Sequence, residues 1–313
     1  MSDAAELSGL LPRLAGARVL VVGDVMLDRF VYGAVERISP EAPIPVLRIE
    51  REATMLGGAG NVVRNLAALG AEPAFVAVVG DDPAGREVQR LVAEVAGGEG
   101  HLLLDRGRRS TIKERYVAGG QQLLRAARES SGALSPALAE ALVAAAEALL
   151  PRVAVLVLSD YGKGVLCDAI LPRLIAAARD RGLLVVVDPK GRDFARYRGA
   201  TLVTPNRREL AEASSLPTGG DAEVVAAARK VMAEAGIAAV LATRSEQGMT
   251  LVEGAEASGP AHHLPAEARE ETETLLTEQA RALAARLDSE MSGAGAAALS
   301  VAGLIETVGA PTE

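Results

Sequence analysis

Several groups of residues in this 313-residue sequence could bind a polyol and an anion. Asp24 and Asp28 stand just after an apolar run, Gly57, Gly58 and Asn61 share a glycine-rich stretch, and Lys113, Arg115 and Arg125 lie on either side of Gly119-Gly120. Lys163 is set between Gly162 and Gly164. Carboxylates and amides hydrogen-bond hydroxyls, and lysine and arginine pair with phosphate. Further along, Asn206 and Glu209 are three residues apart, a spacing that can hold water around a magnesium ion or cap a helix. Thr243, Ser245 and Gly248 could line the phosphates of a nucleotide. Each group also has a plain structural use: a capping aspartate, a glycine turn packed for steric reasons, or an edge strand guarded by charge.

The elements that must position these residues are legible from apolar spacing. The run Arg18-Val19-Leu20-Val21-Val22-Gly23-Asp24 is a buried strand of the parallel-sheet kind, ending in an acid. Leu56-Gly57-Gly58-Ala59-Gly60-Asn61 then opens a helix over residues 62–69, which Gly70 ends; free N–H groups at its start would suit an anion or sugar hydroxyls. Strand and helix alternate after that, with strands predicted at residues 73–80, 153–159, 183–188 and 200–204 and helices at 85–96, 134–150 and 170–181. This alternation predicts an α/β fold with a mainly parallel sheet, in which ligands bind at the carboxyl ends of the strands. Residues 30–55, with Pro40, Pro43 and Pro45, and residues 110–126 break the pattern as extended flaps that could form a small sheet over the site. Residues 237–252 read as two strands joined by a polar turn, while His262 and His263 fall on a surface turn.

Composition narrows the function. A net charge of −8 disfavours nucleic acid or an anionic membrane surface as the main partner. The single cysteine, Cys167, excludes an intrachain disulfide and fits a reducing cytoplasm. No signal peptide or membrane-length apolar run is expected, so the sequence reads as one soluble, cytoplasmic domain over residues 1–313.

Taken together, Val21-Val22-Gly23-Asp24-Val25-Met26-Leu27-Asp28-Arg29, Arg37-Ile38-Ser39-Pro40-Glu41-Ala42-Pro43, the Gly57-to-Gly70 element, Ser159-Asp160-Tyr161-Gly162-Lys163-Gly164, Asp188-Pro189-Lys190-Gly191, Thr204-Pro205-Asn206 and Thr243-Arg244-Ser245-Glu246-Gln247-Gly248-Met249 resemble the ribokinase-like (PfkB) sugar kinases. Among these the sequence is most similar to the D-glycero-β-D-manno-heptose-7-phosphate kinases of lipopolysaccharide precursor synthesis. The resemblance implies a three-layer α/β/α domain with a β-sheet lid, ATP with Mg2+, phosphoryl transfer to the anomeric hydroxyl of a heptose 7-phosphate, and a homodimer built through the lid. It implies that Asp24, Asp28, Gly57, Gly58 and Asn61 hold the sugar, with Lys113, Arg125 and Lys163 near its phosphate. Asn206, Glu209, Thr243, Ser245 and Gly248 would serve the nucleotide, Glu209 also reaching the magnesium through water.

The pattern departs from the family in residues 271–313. The family's Gly-Ala-Gly-Asp turn forms an anion hole and supplies the aspartate that takes the proton from the attacking hydroxyl. Its expected place reads Glu271-Thr272-Glu273-Thr274, at the start of an amphipathic helix. A displaced copy, Gly293-Ala294-Gly295-Ala296, puts alanine where the aspartate belongs. Two readings follow: a kinase in which Glu271, Glu273 or another acid substitutes, and a relative that only binds sugar phosphate or nucleotide or whose last segment has been altered; a PfkB kinase for another sugar is the further alternative. No HxGH-type nucleotidyltransferase motif is present.

Overall fold

The computed structural model describes residues 15–96, 99–254 and 259–266. In chain order the elements are β1 (Arg18–Gly23), β2 (Val25–Ile38), β3 (Pro45–Gly58), α1 (Ala59–Ala68), β4 (Glu72–Gly80), α2 (Pro83–Val95), β5 (Gly100–Asp105), β6 (Thr111–Ala118), β7 (Gln121–Arg128), α3 (Pro136–Leu149), β8 (Val155–Ser159), α4 (Leu171–Arg179), β9 (Leu184–Asp188), β10 (Leu202–Val203), α5 (Arg207–Ser214), α6 (Asp221–Ala235), β11 (Ala239–Thr243), β12 (Met249–Glu253) and β13 (Ala261–Leu264).

Nine strands form the central sheet in the order β13-β12-β11-β10-β9-β8-β1-β4-β5. From β11 to β5 every pairing is parallel, and β12 and β13 add an antiparallel edge. Strands of this kind are apolar on both faces because helices cover both. On β1, Leu20 and Val22 join the core that contains Leu142 of α3, Leu174 of α4 and Val224 of α6, while Val19 and Val21 join the core with Val63 of α1 and Val88 of α2. The alternation of elements predicts the parallel sheet, and the result is the three-layer arrangement that the family resemblance implies. Among the described residues no helix is long and apolar enough to cross a membrane.

The second sheet, β3-β2-β6-β7, is the lid. One of its faces rests on the body: Leu27, Leu56 and Ile112 are buried in the same cluster as Val88 of α2, and the Thr54 hydroxyl donates to Glu87 at 2.9 Å. The first lid segment reaches further at both ends than residues 30–55, and the second runs two residues past the end of 110–126. Only Asp24 separates β1 from β2, so the chain passes straight from the body sheet into the lid, and Asp28, Gly57 and Gly58 lie on lid strands.

Close packing holds this junction. A Cβ on Gly23 would sit 2.2 Å from the Ser159 carbonyl oxygen of the neighbouring strand. Gly23→Ala therefore forces β1 and β8 apart at the point where the site begins, and we expect it to cost about 1–3 kcal/mol, measured as a lowered midpoint in urea unfolding.

Candidate functional site

In a parallel sheet all the carboxyl ends lie along one edge. Here that edge carries Asp24 after β1, Ser159 and Asp160 at β8, Asp188 at β9, Asn206 after β10 and Thr243 at β11. Four strand spacings separate β1 from β11, roughly 19 Å.

At the β1 end, Asp24 is only 1% exposed. Its Oδ2 accepts the backbone N–H groups of Tyr161 at 2.9 Å and Lys163 at 3.0 Å, and its Oδ1 accepts that of Val165 at 3.1 Å. Its carbonyl oxygen accepts the N–H of Ala59 at the start of α1, 3.0 Å away. Gly58, with φ of 58°, is required there because a Cβ would meet that same carbonyl at 2.4 Å. Unlike α2 and α3, capped by Asp82 and Ser135, α1 has no side-chain cap. Its next N–H groups therefore face outward, and half-buried Asn61 stands beside them. The sequence places Asp24 against a sugar; in the structure its carboxylate is engaged by the loop after β8, leaving little of it for a ligand.

The lid face opposite the body-packing one gathers cations. Lys113 is registered beside Asp28, and Arg115 lies directly across from Arg125. Two like charges in opposed positions repel. Arg115 pairs with Asp28 at 3.0 Å, so neither of these is free in the way the sequence reading supposes; the pairing depends on strand register and has no local signal. Arg125 is exposed and makes no ion pair among the described residues. The Lys113 ammonium lies 5.7 Å from the centre of the Tyr161 ring, and burial lowers its pKa. Lys163 pairs with Glu129 at 2.6 Å, a contact that holds the Glu129 carboxyl below the usual range.

A polar network continues toward β11. The Tyr197 hydroxyl donates to Asp160 at 2.7 Å and accepts the N–H of Lys190 at 2.9 Å. Arg196 sits 3.4 Å from the same aspartate, whose pKa is raised chiefly by burial. The Lys190 ammonium pairs with Glu209 at 2.7 Å. Asn206 and Glu209 form a complete capping box on α5, side chain to backbone in both directions at 2.9 and 3.2 Å. Asn206 bridges in turn to Thr243. Ser245, with φ of 51°, and Gly248, with φ of 81°, form the tight turn beyond it. Asp188 is walled in by Asp160, Glu209, Lys190 and Tyr161; desolvation, then the charge of Glu209, raise its pKa far above the ordinary carboxylate value.

The described residues contain no cluster of three His, Cys, Asp or Glu that could hold a metal. A magnesium ion that arrives with nucleotide phosphates keeps most of its waters and needs only one or two carboxylates. Glu209 and Asp188, whose charges press on each other, fit that need.

Tyr197, Arg196, Glu129 and Asp188 carry much of this geometry and were not among the expected site residues. Tyr197 and Arg196 come from a short turn with no distinguishing sequence pattern, whereas Asp188 could have been found from its place at a strand tip. His262 and His263 are not on a turn: they lie on β13, and His263 Nδ1 is 2.9 Å from the Thr250 hydroxyl across the hairpin. Gly293, Gly295, Ala296, Glu271 and Glu273 lie outside the described residues.

A layered α/β body, a four-stranded lid and polar groups along one strand-tip edge define the carbohydrate-kinase class. The family model for pfkB family carbohydrate kinases matches residues 17–274, and the chain belongs to that family. Among curated proteins, the chain is 59% identical over 268 residues to the bifunctional protein HldE of Paramagnetospirillum magneticum, covering 85% of this chain and 54% of that protein. It is 54% identical over 270 residues to the HldE protein of Rhodospirillum rubrum, covering 86% and 54%. The chain thus spans about half the length of these relatives. Among solved structures, the tetrameric inhibited form of Escherichia coli phosphofructokinase-2 aligns with a TM-score of 0.68 at 20% identity, covering 94% of each chain. Arabidopsis thaliana ribokinase complexed with ribose and ATP aligns with a TM-score of 0.60 at 16% identity, covering 94% of this chain and 99% of that one. Both show the same fold.

The half-buried Asp188, crowded by Glu209 and Asp160, gives the site a pH signature. In the unfolded chain its carboxyl ionises near 3.8, whereas in the folded protein ionisation is delayed to about 8, so stability present below 3.8 is lost as pH rises through this window. Asp188→Asn cannot ionise and escapes that loss. Thermal unfolding followed by circular dichroism should show the variant's advantage in Tm over the parent growing as pH rises; a constant difference contradicts this account.

Proposed function

We propose that this chain transfers the γ-phosphoryl group of ATP to the anomeric hydroxyl of D-glycero-β-D-manno-heptose 7-phosphate, giving the 1,7-bisphosphate and ADP. The observation that carries the reading is the division of the strand-tip edge. A cationic lid face stands over its β1 end, and the Asn206, Glu209 and Thr243 end lies some 19 Å away, room for a phosphosugar and a nucleotide end to end. The identity to HldE proteins and the motif resemblance support the choice of sugar.

In this reading Lys113, Arg125 and Lys163 hold the 7-phosphate. Asp28, Gly57, Gly58, Asn61 and the remaining acceptor of Asp24 face the sugar hydroxyls. Asn206, Glu209, Thr243, Ser245 and Gly248 serve the nucleotide, and Glu209 with Asp188 meets its magnesium through water. ATP supplies the transferred group and the metal neutralises its charge; the chain's own residues orient both ends and exclude water. Phosphoryl transfer rests on such positioning and on charge stabilisation. Without the motif aspartate, turnover is reduced by about two to four orders of magnitude. A second reading, binding without turnover, is favoured by the absence of the motif from its expected place and by Ala296 in the aspartate's position of the displaced copy.

We also propose that the lid pairs with a second copy. Ile38, Ile44, Ile49 and Leu124, on or between lid strands, are each more than half exposed, an apolar surface that a partner would cover. Replacing Ile49 and Leu124 by lysine should shift sedimentation from dimer to monomer.

The catalytic reading is tested by coupled ADP release with the heptose 7-phosphate and with the unphosphorylated heptose. Slow release that requires the phosphate, rising in Ala296→Asp and falling at least tenfold in Arg125→Ala, is the expected result. Release indifferent to the sugar's phosphate would overturn it, and calorimetric binding of both ligands with no release would support the binding-only alternative.

A further inference from the structure

The cations read as phosphate contacts already surround an anion of the protein's own. Glu129 follows β7 directly and continues the alternation of Arg125 and Ala127, the residues registered across from Arg115 and Lys113. It therefore leaves the lid on the cationic face. Its Oε2 lies 2.6 Å from the Lys163 ammonium, with side chains 37% and 20% exposed. Lys113 reaches toward the same loop, where its ammonium lies over Tyr161, two residues before Lys163. The charges of Lys113 and Arg125 act on the Glu129 carboxyl in the same direction as Lys163.

We infer that Glu129 fills the phosphate subsite as an internal anion, and that it must leave Lys163 before a phosphorylated ligand can be held there. This rests on the reading of Lys113, Arg125 and Lys163 as the phosphate contacts. The physical case is one of charge. Three cations turned toward one space repel unless an anion sits among them, and a carboxylate supplies one negative charge and two acceptor oxygens. A phosphate monoester carries nearly twice the charge and three terminal oxygens, so it can replace the carboxylate. The two anions cannot share the space without repulsion. An anion with no further contacts thus binds weakly, while a phosphosugar has its hydroxyl contacts to offset the displacement.

Titration calorimetry with inorganic phosphate on the full chain tests this without any turnover. Glu129→Gln should bind phosphate about tenfold more tightly than the parent, with Glu129→Asp in between. The gain should vanish when Lys163→Gln is added. An affinity that is unchanged or weaker in Glu129→Gln, a gain that survives loss of Lys163, or no phosphate binding by any variant would each overturn the inference. The ADP-release assay reads the catalytic proposal separately: absent turnover with the heptose 7-phosphate leaves these titrations untouched.

Discussion

The arrangement of the site depends on how one buried carboxylate is satisfied. Among the described residues Asp24 makes no ion pair; its charge is met by three backbone N–H groups from Tyr161, Lys163 and Val165, some 140 positions on in the chain. Burying an unpaired carboxylate is costly, and hydrogen bonds to the charged form offset that cost. The requirement runs in both directions. The aspartate needs the loop, and the loop, whose N–H groups would otherwise lack acceptors, takes its shape from the aspartate. Since the Asp24 carbonyl also receives the first N–H of α1, one residue fixes the glycine turn, the exit of the chain into the lid and the position of Lys163.

From that anchor the charges separate along the edge of the sheet. The β1 end faces a lid carrying Lys113, Arg115 and Arg125; the stretch from β8 to β11 carries Asp160, Asp188 and Glu209, tempered by Lys190 and Arg196. An overall charge of −8 says nothing of this division. A ligand with its own anion at the lid end and a metal-bearing polyphosphate at the other would complement both halves, whereas an anion brought to the second end without a metal would face these carboxyls with only Lys190 and Arg196 to offset them. Asp188, on the middle strand of the five, sits where the two ligand ends would meet.

What could be read from the sequence is what local spacing determines. The runs at Val19 to Val22 and Val155 to Leu158 are apolar at every position because both faces are covered, and Gly70, with φ of 83°, stops α1 where a left-handed residue is needed. The lid followed from prolines and alternation. Its limits did not, since a one-residue link at Asp24 leaves no turn signal. Ion pairing was equally hidden: whether Arg115 meets a ligand or Asp28 depends on how β2 and β6 are registered, a contact across 87 positions. His263 was misplaced because Ala-His-His-Leu has no apolar rhythm of its own and becomes a strand only by pairing with β12.

The groups proposed to recognise ligands lie on β1, the lid, and the tips of β8 to β11, and their geometry is held by contacts among the described residues: Asp24 to the β8 loop, Tyr197 to Asp160 and Lys190, Asn206 to Glu209. None of these contacts involves residues 271–313. In the proposed reading, recognition and proton transfer are separable: the ligand contacts are assigned to the strand tips and lid, whereas the carboxylate for the chemical step would come from a later stretch of the sequence. On that reading a change confined to that stretch would lower rate before affinity, so ligand binding would report on the strand tips and turnover on the later residues.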